Sequence, residues 1–169
     1  MSLIQTATRG AVANTFGAPE RTPTDVLASV RIEAELRRIL YALATPEYME
    51  AWLQMPNAER VECHSEQRSF DRFRIDLLSA GRKEQSIYGS CLLSKPNRVT
   101  YLWEKEHRSA LSRSMVEILI FGGLTFCSLK LKHRGLVGED ERDWHSLMWS
   151  RSLVKLRILM EGIGFESAY

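Results

Sequence analysis

Cysteines are few, and their placement excludes a disulfide framework. Only three occur in 169 residues, Cys63, Cys91 and Cys127, and they lie far apart in the chain. Domains held together by disulfides contain an even number of cysteines, whereas free thiols are typical of a reducing compartment. We therefore expect three free thiols, no zinc site at the cysteines and a cytoplasmic location.

Long hydrophobic runs and clusters of one charge are also lacking. No run of about 18 apolar residues occurs, so no transmembrane helix is expected. The N-terminal segment MSLIQTATRG lacks the continuous apolar core of a signal peptide. The net charge is only +2, and Lys and Arg are scattered along the chain. This distribution argues against nucleic-acid binding.

Motifs of metal and nucleophilic chemistry are missing as well. The four histidines show no HxH or HExxH spacing, so we expect neither a metal nor a cofactor. No serine stands in a GxSxG context. Cys127 needs a nearby base to become a nucleophile, but His133 lies roughly 20 Å further along an extended strand. The sequence therefore assigns no catalytic residue.

The composition favours one domain with a real core. Hydrophobic residues make up 44% of the chain, enough to bury a core in a protein of this length. Residues 1–23 combine glycines and prolines with small polar residues and show no period, which indicates a flexible tail. We expect a domain over residues 24–163 and a short C-terminal tail over 164–169.

Alternation of apolar and polar residues dominates this domain. DVLASVRIE at 25–33 predicts a first strand, and ELRRILYALA and PEYMEAWLQM predict two short helices. Pro46 can open the second helix because a first turn tolerates its missing N–H. About six further strands follow up to residue 133, with Gly122–Gly123 as a hairpin turn before LTFCSLKLKH. Without crossover helices, these strands should form an antiparallel meander.

A long amphipathic helix is predicted over about residues 139–161. Trp149 and Leu153 are four residues apart on one side, opposite Arg151 and Arg157, so we expect the helix to pack lengthwise across the sheet with both apolar residues buried. Periodicity alone does not distinguish the wall of a ligand cavity from a filled core.

Three segments carry a resemblance to a known family: ATPEYMEAW at 44–52, SIYGSCLLSKPNRVTYLW at 86–103, and GGLTFCSLKLKHRGL at 122–136. In their order and spacing, they resemble the activator-of-heat-shock-protein-90-ATPase-like family of the START and birch-allergen-like superfamily (SRPBCC). The resemblance implies an α+β helix-grip fold. In that fold, a curved antiparallel sheet of six to seven strands wraps around the long C-terminal helix, with a cavity between them.

The leading functional interpretation is non-enzymatic binding of a hydrophobic or amphipathic small molecule in that cavity. Aromatic side chains with polar tips beside apolar surface are typical of such sites. We call the expected lining the predicted wall, and it comprises Tyr101, Trp103, Val116, Ile118, Cys127, His145, Trp149 and Leu153.

Two other functions are compatible with the same fold. One is an enzyme of cyclase or hydrolase type, with His145 or His133 as the first candidate for a titrating group. The other is a chaperone-interaction module that uses the outer surface. The chain is expected to be a monomer or a homodimer.

Overall fold

A computed structural model describes residues 25–66, 69–107 and 110–162. The strands are β1 (Val26–Ile32), β2 (Arg60–Glu66), β3 (Ser69–Ser79), β4 (Arg82–Lys95), β5 (Arg98–His107), β6 (Ala110–Gly122) and β7 (Cys127–Arg134). The helices are α1 (Leu36–Ala44), α2 (Pro46–Trp52) and α3 (Glu139–Gly162). The tails predicted for residues 1–23 and 164–169 lie outside the described residues.

All seven strands belong to one antiparallel sheet. Its spatial order is β1-β7-β6-β5-β4-β3-β2, so β2 to β7 form a meander and β1 is added beside the last strand. Val26 pairs with His133, and Ile32 pairs with Cys127. The curved sheet, the two short helices after β1 and the long helix packed on the sheet confirm the predicted helix-grip fold.

The corner between α1 and α2 depends on a proline. Pro46 has no N–H, so it cannot donate to the carbonyl of Ala42 in the last turn of α1. The indole N–H of Trp52 donates to that carbonyl instead, at 2.9 Å. The next carbonyl, that of Leu43, accepts from the hydroxyl of Tyr101 on β5 at 2.5 Å. Two buried aromatic side chains thus complete α1 and tie it to α2 and the sheet.

The long helix α3 packs as predicted. Trp149 is 0% exposed and Leu153 is 2% exposed, while Arg151 and Arg157 face water. Toward its middle, the hydroxyl of Ser152 accepts a hydrogen bond from the backbone N–H of Gln54 at 2.9 Å. These contacts confirm that the apolar side of the helix is core rather than surface.

The predicted start of the last strand is wrong by three residues. Gly122 closes β6 with a φ of +139°, and the N–H of Gly123 donates to the carbonyl of Phe126 at 3.1 Å. This bond closes a loop over residues 123–126, so Leu124 and Thr125 are exposed instead of continuing the strand. The glycine pair marks the hairpin correctly, but the turn is longer than two residues.

We expect the Leu153→Ala variant to lose about 2–5 kcal/mol of unfolding free energy, because it leaves a cavity beneath α3. The matched control is Val154→Ala on the same helix, at a side chain that is 49% exposed. That control should change stability by much less. Urea denaturation of both variants measures the difference, and equal losses would contradict the packing described for Leu153.

Candidate functional site

Two rows of inner-facing residues cross the sheet beneath the first half of α3. The strand registers align Phe73, Gly89, Trp103 and Ser114 in one row. The neighbouring row contains Tyr101, Val116 and His133. Six of these seven residues are uncharged at neutral pH, and the seventh, His133, carries an imidazole. The sheet therefore presents rings and small polar groups to the helix at this point.

Four rings meet where these rows face α3, and we call them the aromatic cluster: Trp103, His133, His145 and Trp149. The ring centroids of His133 and His145 are 4.4 Å apart. Trp103 lies 5.5 Å from Trp149 and 6.0 Å from His145, again between ring centroids. These separations are typical of favourable edge-to-face and tilted ring pairs.

A chain of hydrogen bonds joins α3 to two strands through this cluster. The indole N–H of Trp149 is 3.0 Å from Nδ1 of His133. Since an indole nitrogen can only donate, Nδ1 must be the acceptor, and the ring proton is therefore on Nε2. Nε2 lies 2.8 Å from the hydroxyl of Ser114 and donates to it. Both nitrogens of His133 are thus occupied inside the protein.

The imidazole of His133 is neutral at physiological pH. Burial lowers its pKa from 6.5 to about 4, against a smaller opposing effect of the charge on Asp25. Burial has this direction because it penalises the charged form of the ring. A neutral ring with both nitrogens engaged has no free lone pair with which to accept a proton from a substrate.

The polar atoms of the aromatic side chains in the predicted wall differ in their hydrogen bonds. The hydroxyl of Tyr101 is bound to the Leu43 carbonyl, and burial raises its pKa well above 10. The N–H of Trp149 is bound to His133. The N–H of Trp103, by contrast, has no hydrogen-bond partner among the described residues, although this side chain is only 2% exposed. Trp103 therefore presents a buried donor that has no partner in the part of the chain that the structure describes.

All eight residues of the predicted wall are buried, but the structure spreads them along the sheet. Trp103, His145 and Trp149 meet in the aromatic cluster. Cys127 pairs with Gly122, eight residues along β6 from the Ser114 that pairs with Trp103. This separation is roughly 26 Å at the usual rise of a strand. Cys127 thus lies at the opposite end of the inner face from the cluster.

The other members of the predicted wall lie between these ends. Tyr101 and Val116 occupy the row next to Trp103, and Ile118 occupies the row beyond it. Leu153 lies one helical turn after Trp149 on α3. The predicted wall therefore runs along the inner face, interrupted by the row of Ile120 and Leu129 before Cys127, and its polar groups are concentrated at the end nearest Trp103.

The buried thiols do not offer a nucleophile. Burial raises the pKa of Cys127, whose Sγ lies 3.8 Å from the carbonyl of Gly123. Burial, with the nearby charges of Glu50 and Glu47, raises the pKa of Cys63 to about 12. The thiolate is the reactive form of cysteine, and both side chains are thiols at neutral pH.

The predicted wall includes neither Ser114 nor His133. Strand parity nevertheless indicates the inner face for both, because Ser114 is two residues before Val116, and His133 is two residues after Leu131, which faces inward. Parity assigns the face of a strand, but it does not reveal which helix residue lies opposite.

A buried carboxylate, that of Asp76, lies on the outer face of the sheet. The carboxylate of Asp76 accepts from the Ser86 hydroxyl at 2.6 Å and pairs with Arg74 at 3.1 Å. Burial alone would raise the pKa of Asp76, but the Ser86 hydrogen bond and the charges of Arg74 and Lys83 lower it overall. Asp76 is thus a paired anion remote from the inner cluster.

A recess of about 150 Å³ also opens beside β4, and five of its seven lining residues belong to the outer face by strand parity. It is lined by Arg72, Phe73, Tyr88, Gly89, Ser90, Leu102 and Glu104. Gly89 forms part of its floor, where a Cβ would lie 2.5 Å from Cζ of Phe73 and 2.4 Å from the carbonyl oxygen of Leu102. The close approach of these neighbours therefore requires glycine at this position.

Neither a metal site nor a membrane span emerges from the described ranges. Within residues 25–66, 69–107 and 110–162, no three His, Cys, Asp or Glu side chains gather closely enough to hold a metal ion. In the same part of the chain, no helix is long and apolar enough to cross a membrane.

Comparison with known proteins identifies the fold. CV1439 from Chromobacterium violaceum is 20% identical with a TM-score of 0.65, over 82% of this chain and 99% of that protein. MLL2253 from Mesorhizobium loti is 19% identical with a TM-score of 0.60, over 80% and 95% of the two chains. CalU16 from Micromonospora echinospora is 19% identical with a TM-score of 0.58, over 82% and 74%. No protein-family model matches the chain, and no curated protein matches it in sequence. These likenesses show the helix-grip fold.

The buried imidazole predicts a specific loss of stability in mild acid. Folding lowers the pKa of His133 from 6.5 to about 4, so the unfolded chain takes up this proton first as the pH falls. The contribution is fully present above pH 6.5 and is lost between pH 6.5 and 4, to a total of about 3 kcal/mol. Urea denaturation at a series of pH values measures this loss.

The His133→Gln variant should lose most of this pH dependence. Asp76→Asn is the control: because the pKa of Asp76 is lowered from 3.8, its contribution is lost only below that pH. The control should therefore keep the slope between pH 6.5 and 4. A slope that persists in His133→Gln would show that another group is responsible.

A comparison of two buried tryptophans tests whether the indole N–H of Trp103 lacks a hydrogen-bond partner. The N–H of Trp52 is bound to the Ala42 carbonyl, whereas that of Trp103 is unpaired among the described residues. A Trp→Phe change removes the same volume at each position. Of the two, only Trp52→Phe leaves a buried carbonyl, that of Ala42, without its hydrogen bond. We expect Trp52→Phe to cost about 1–3 kcal/mol more than Trp103→Phe in urea denaturation. Equal costs would indicate that Trp103 has a partner of its own.

Proposed function

We propose that this protein binds a hydrophobic or amphipathic small molecule between the sheet and α3, without catalysing a reaction on it. The observation that carries the proposal is the aromatic cluster beside Trp103. Rings there adjoin the apolar residues of the predicted wall, and the buried N–H of Trp103 has no partner within the described ranges. Apolar surface with a few placed polar groups is the usual composition of a small-molecule site. The helix-grip fold is itself typical of small-molecule binding.

The chemistry of the cluster supports binding rather than catalysis. His133 is neutral, and both of its nitrogens are engaged. The buried thiol Cys127 has a raised pKa and lies at the far end of the inner face. A cyclase or hydrolase requires a group that can give or take a proton at the substrate. His145 is the remaining candidate for that role among the residues that the sequence suggested.

The chaperone-interaction alternative has one observation in its favour. Leu147, Val154 and Ile158 are exposed along the outer side of α3, at spacings that place them on one stripe. Arg151 interrupts the stripe between them, so the apolar surface is narrow. Polar substitution of these three residues should abolish binding to a chaperone if this stripe is the contact, and it should leave small-molecule binding unchanged.

We further propose that the chain belongs near the activator-of-heat-shock-protein-90-ATPase-like family. This assignment is based on the three segments that resemble the family and on the helix-grip fold that it shares. A cytoplasmic location fits the same proposal, because the cysteines at positions 63, 91 and 127 are not joined to each other.

A ligand in the proposed site should quench tryptophan fluorescence and raise the melting temperature. Binding to the native state alone stabilises it by about 2.7 kcal/mol at a hundredfold excess over the dissociation constant. A library of lipids, steroids and aromatic acids provides the screen. The Trp103→Leu variant should bind hits more weakly, whereas Leu102→Ala on the outer face should bind them normally.

If the whole library gives neither quenching nor a melting shift, the interior is a filled core and the proposal is wrong. If Leu102→Ala weakens binding as much as Trp103→Leu, the ligand occupies the outer recess instead of the inner face.

A further inference from the structure

Three large apolar side chains are exposed at the end of the sheet where β6 turns into β7. Phe121 is the second-last residue of β6, and Leu124 and Phe126 belong to the loop before β7. All three are exposed, and Leu124 is 84% exposed. Single exposed apolar residues are ordinary, whereas a group of them marks a surface that binds a partner. We call these three residues, with Arg31 and Lys130, the hairpin patch.

Two cations lie over the aromatic rings of the hairpin patch. The guanidinium carbon of Arg31 is 4.3 Å from the ring centroid of Phe126. Nζ of Lys130 is 5.4 Å from the ring centroid of Phe121. Both distances are within the range of favourable cation–π contacts. Neither cation forms an ion pair with a carboxylate in the part of the chain that the structure describes. Their charges are therefore available to an anionic partner.

The strand register shows that this end of the outer face is positively charged. Its last two rows over β5, β6, β7 and β1 contain only cationic, apolar and hydroxyl side chains: Arg98, Leu119, Lys130, Ser29, Phe121, Ser128 and Arg31. The next row on the same face contains Glu117, which pairs with Arg98 at 3.4 Å and with Arg134 at 3.6 Å. The carboxylate nearest to the patch on this face is thus already paired with two cations.

Other acidic residues near this end belong to the connection into α1 and to the end of α3. The backbone N–H of Glu33 donates to the carboxylate of Glu161 at 3.1 Å, and Glu161 also pairs with Arg157 at 3.8 Å. Glu35 comes directly before α1, and Arg37 follows it in the first turn of that helix. The helical side of this end therefore carries both signs of charge, whereas the outer face carries a positive charge.

A lipid bilayer with anionic headgroups fits this combination best. A protruding apolar loop can enter a bilayer without a preformed pocket, and Phe and Leu side chains commonly occupy the boundary between headgroups and acyl chains. Lys and Arg can then keep their charged ends at the level of the lipid phosphates. A second copy of the chain fits less well, because a symmetric contact through the same patch would bring its cations against each other.

We propose that the hairpin patch docks onto a membrane surface that contains anionic phospholipids. Leu124 enters below the headgroups, Phe121 and Phe126 lie at their level, and Arg31 and Lys130 face the lipid phosphates. This inference goes beyond the proposed function and does not depend on it, because the patch lies outside the space between the sheet and α3.

Vesicle flotation of the full chain tests the inference. Vesicles of an equal mixture of phosphatidylcholine and phosphatidylglycerol should bind the protein, and vesicles of phosphatidylcholine alone should bind it much more weakly. Raising the salt concentration to about 0.5 M should weaken the binding, because exposed charges are then screened. Leu124→Ser should bind about tenfold more weakly, the loss expected for one apolar side chain. The control is Val137→Ser, at a residue 75% exposed in the loop after β7, which should bind normally.

A matched pair of lysine variants tests the charge. Lys130→Gln should bind the mixed vesicles about fivefold more weakly, the contribution expected for one cation near an anionic surface. Lys155→Gln, at an exposed position on α3 and so on the other side of the sheet, should bind them as the unmodified protein does. Since all these positions are exposed, the melting temperatures of the variants should remain unchanged.

Insertion of the loop has its own signature. The indole added in Leu124→Trp should be quenched by vesicles whose phosphatidylglycerol carries brominated acyl chains, whereas the indole added in Val137→Trp should not. Quenching at both positions would show that the chain has no preferred orientation on the membrane, and the inference would be wrong.

Three further results would overturn the inference. The first is an absence of binding to the mixed vesicles at low salt. The second is an equal loss of binding in Leu124→Ser and Val137→Ser. The third is a dimer in solution that Leu124→Ser converts to a monomer, because the patch would then belong to a contact with a second copy. None of these results would affect the proposed ligand site, which the small-molecule library tests separately.

Discussion

The hydrogen-bonded chain from Trp149 through His133 to Ser114 determines how the long helix lies on the sheet. It connects α3, β7 and β6 with directional contacts, whereas the surrounding apolar contacts would tolerate small shifts. Because both nitrogens of the imidazole are engaged, the ring cannot rotate without losing a partner. The depth and the rotation of α3 at Trp149 are thereby fixed, and with them the positions of Trp103 and His145. The aromatic cluster is therefore a consequence of this chain.

A second set of aromatic contacts ties α1 and α2 to the sheet. Trp52 and Tyr101 satisfy the two carbonyls at the end of α1, where Pro46 cannot supply an N–H. These side chains are unavailable to a ligand for the same reason that they are structurally necessary. Trp103 differs from them, because its buried N–H has no partner among the residues that the structure describes.

The sequence predicts the fold well because the fold depends on local periodicity and on the order of elements. Alternation identifies the inward faces of the strands, and the spacing of Trp149 and Leu153 identifies the buried side of α3. The hairpin after β6 is longer than its glycine pair suggests, since the Gly123–Phe126 hydrogen bond depends on local backbone geometry.

The candidate site is less predictable from the same patterns. Parity places both Trp103 and Cys127 on the inner face, but their separation along the sheet depends on strand register, which alternation does not contain. The hydrogen-bond partner of each polar side-chain atom also depends on three-dimensional contacts. Tyr101 and Trp103 look equivalent in VTYLWEKE. The Leu43 carbonyl accepts a hydrogen bond from Tyr101, whereas no described residue accepts one from Trp103.

The pairing of β1 with β7 affects how the molecule can form. Val26 and His133 are neighbours in the sheet, although almost the whole domain separates them in the chain. Contacts of such long sequence separation slow folding, because a large loop must close before they form. During synthesis, β1 leaves the ribosome first but has no strand to join until β7 has followed. The meander from β2 to β7 can assemble earlier from neighbouring hairpins, so β1 and α3 should be the last elements to dock.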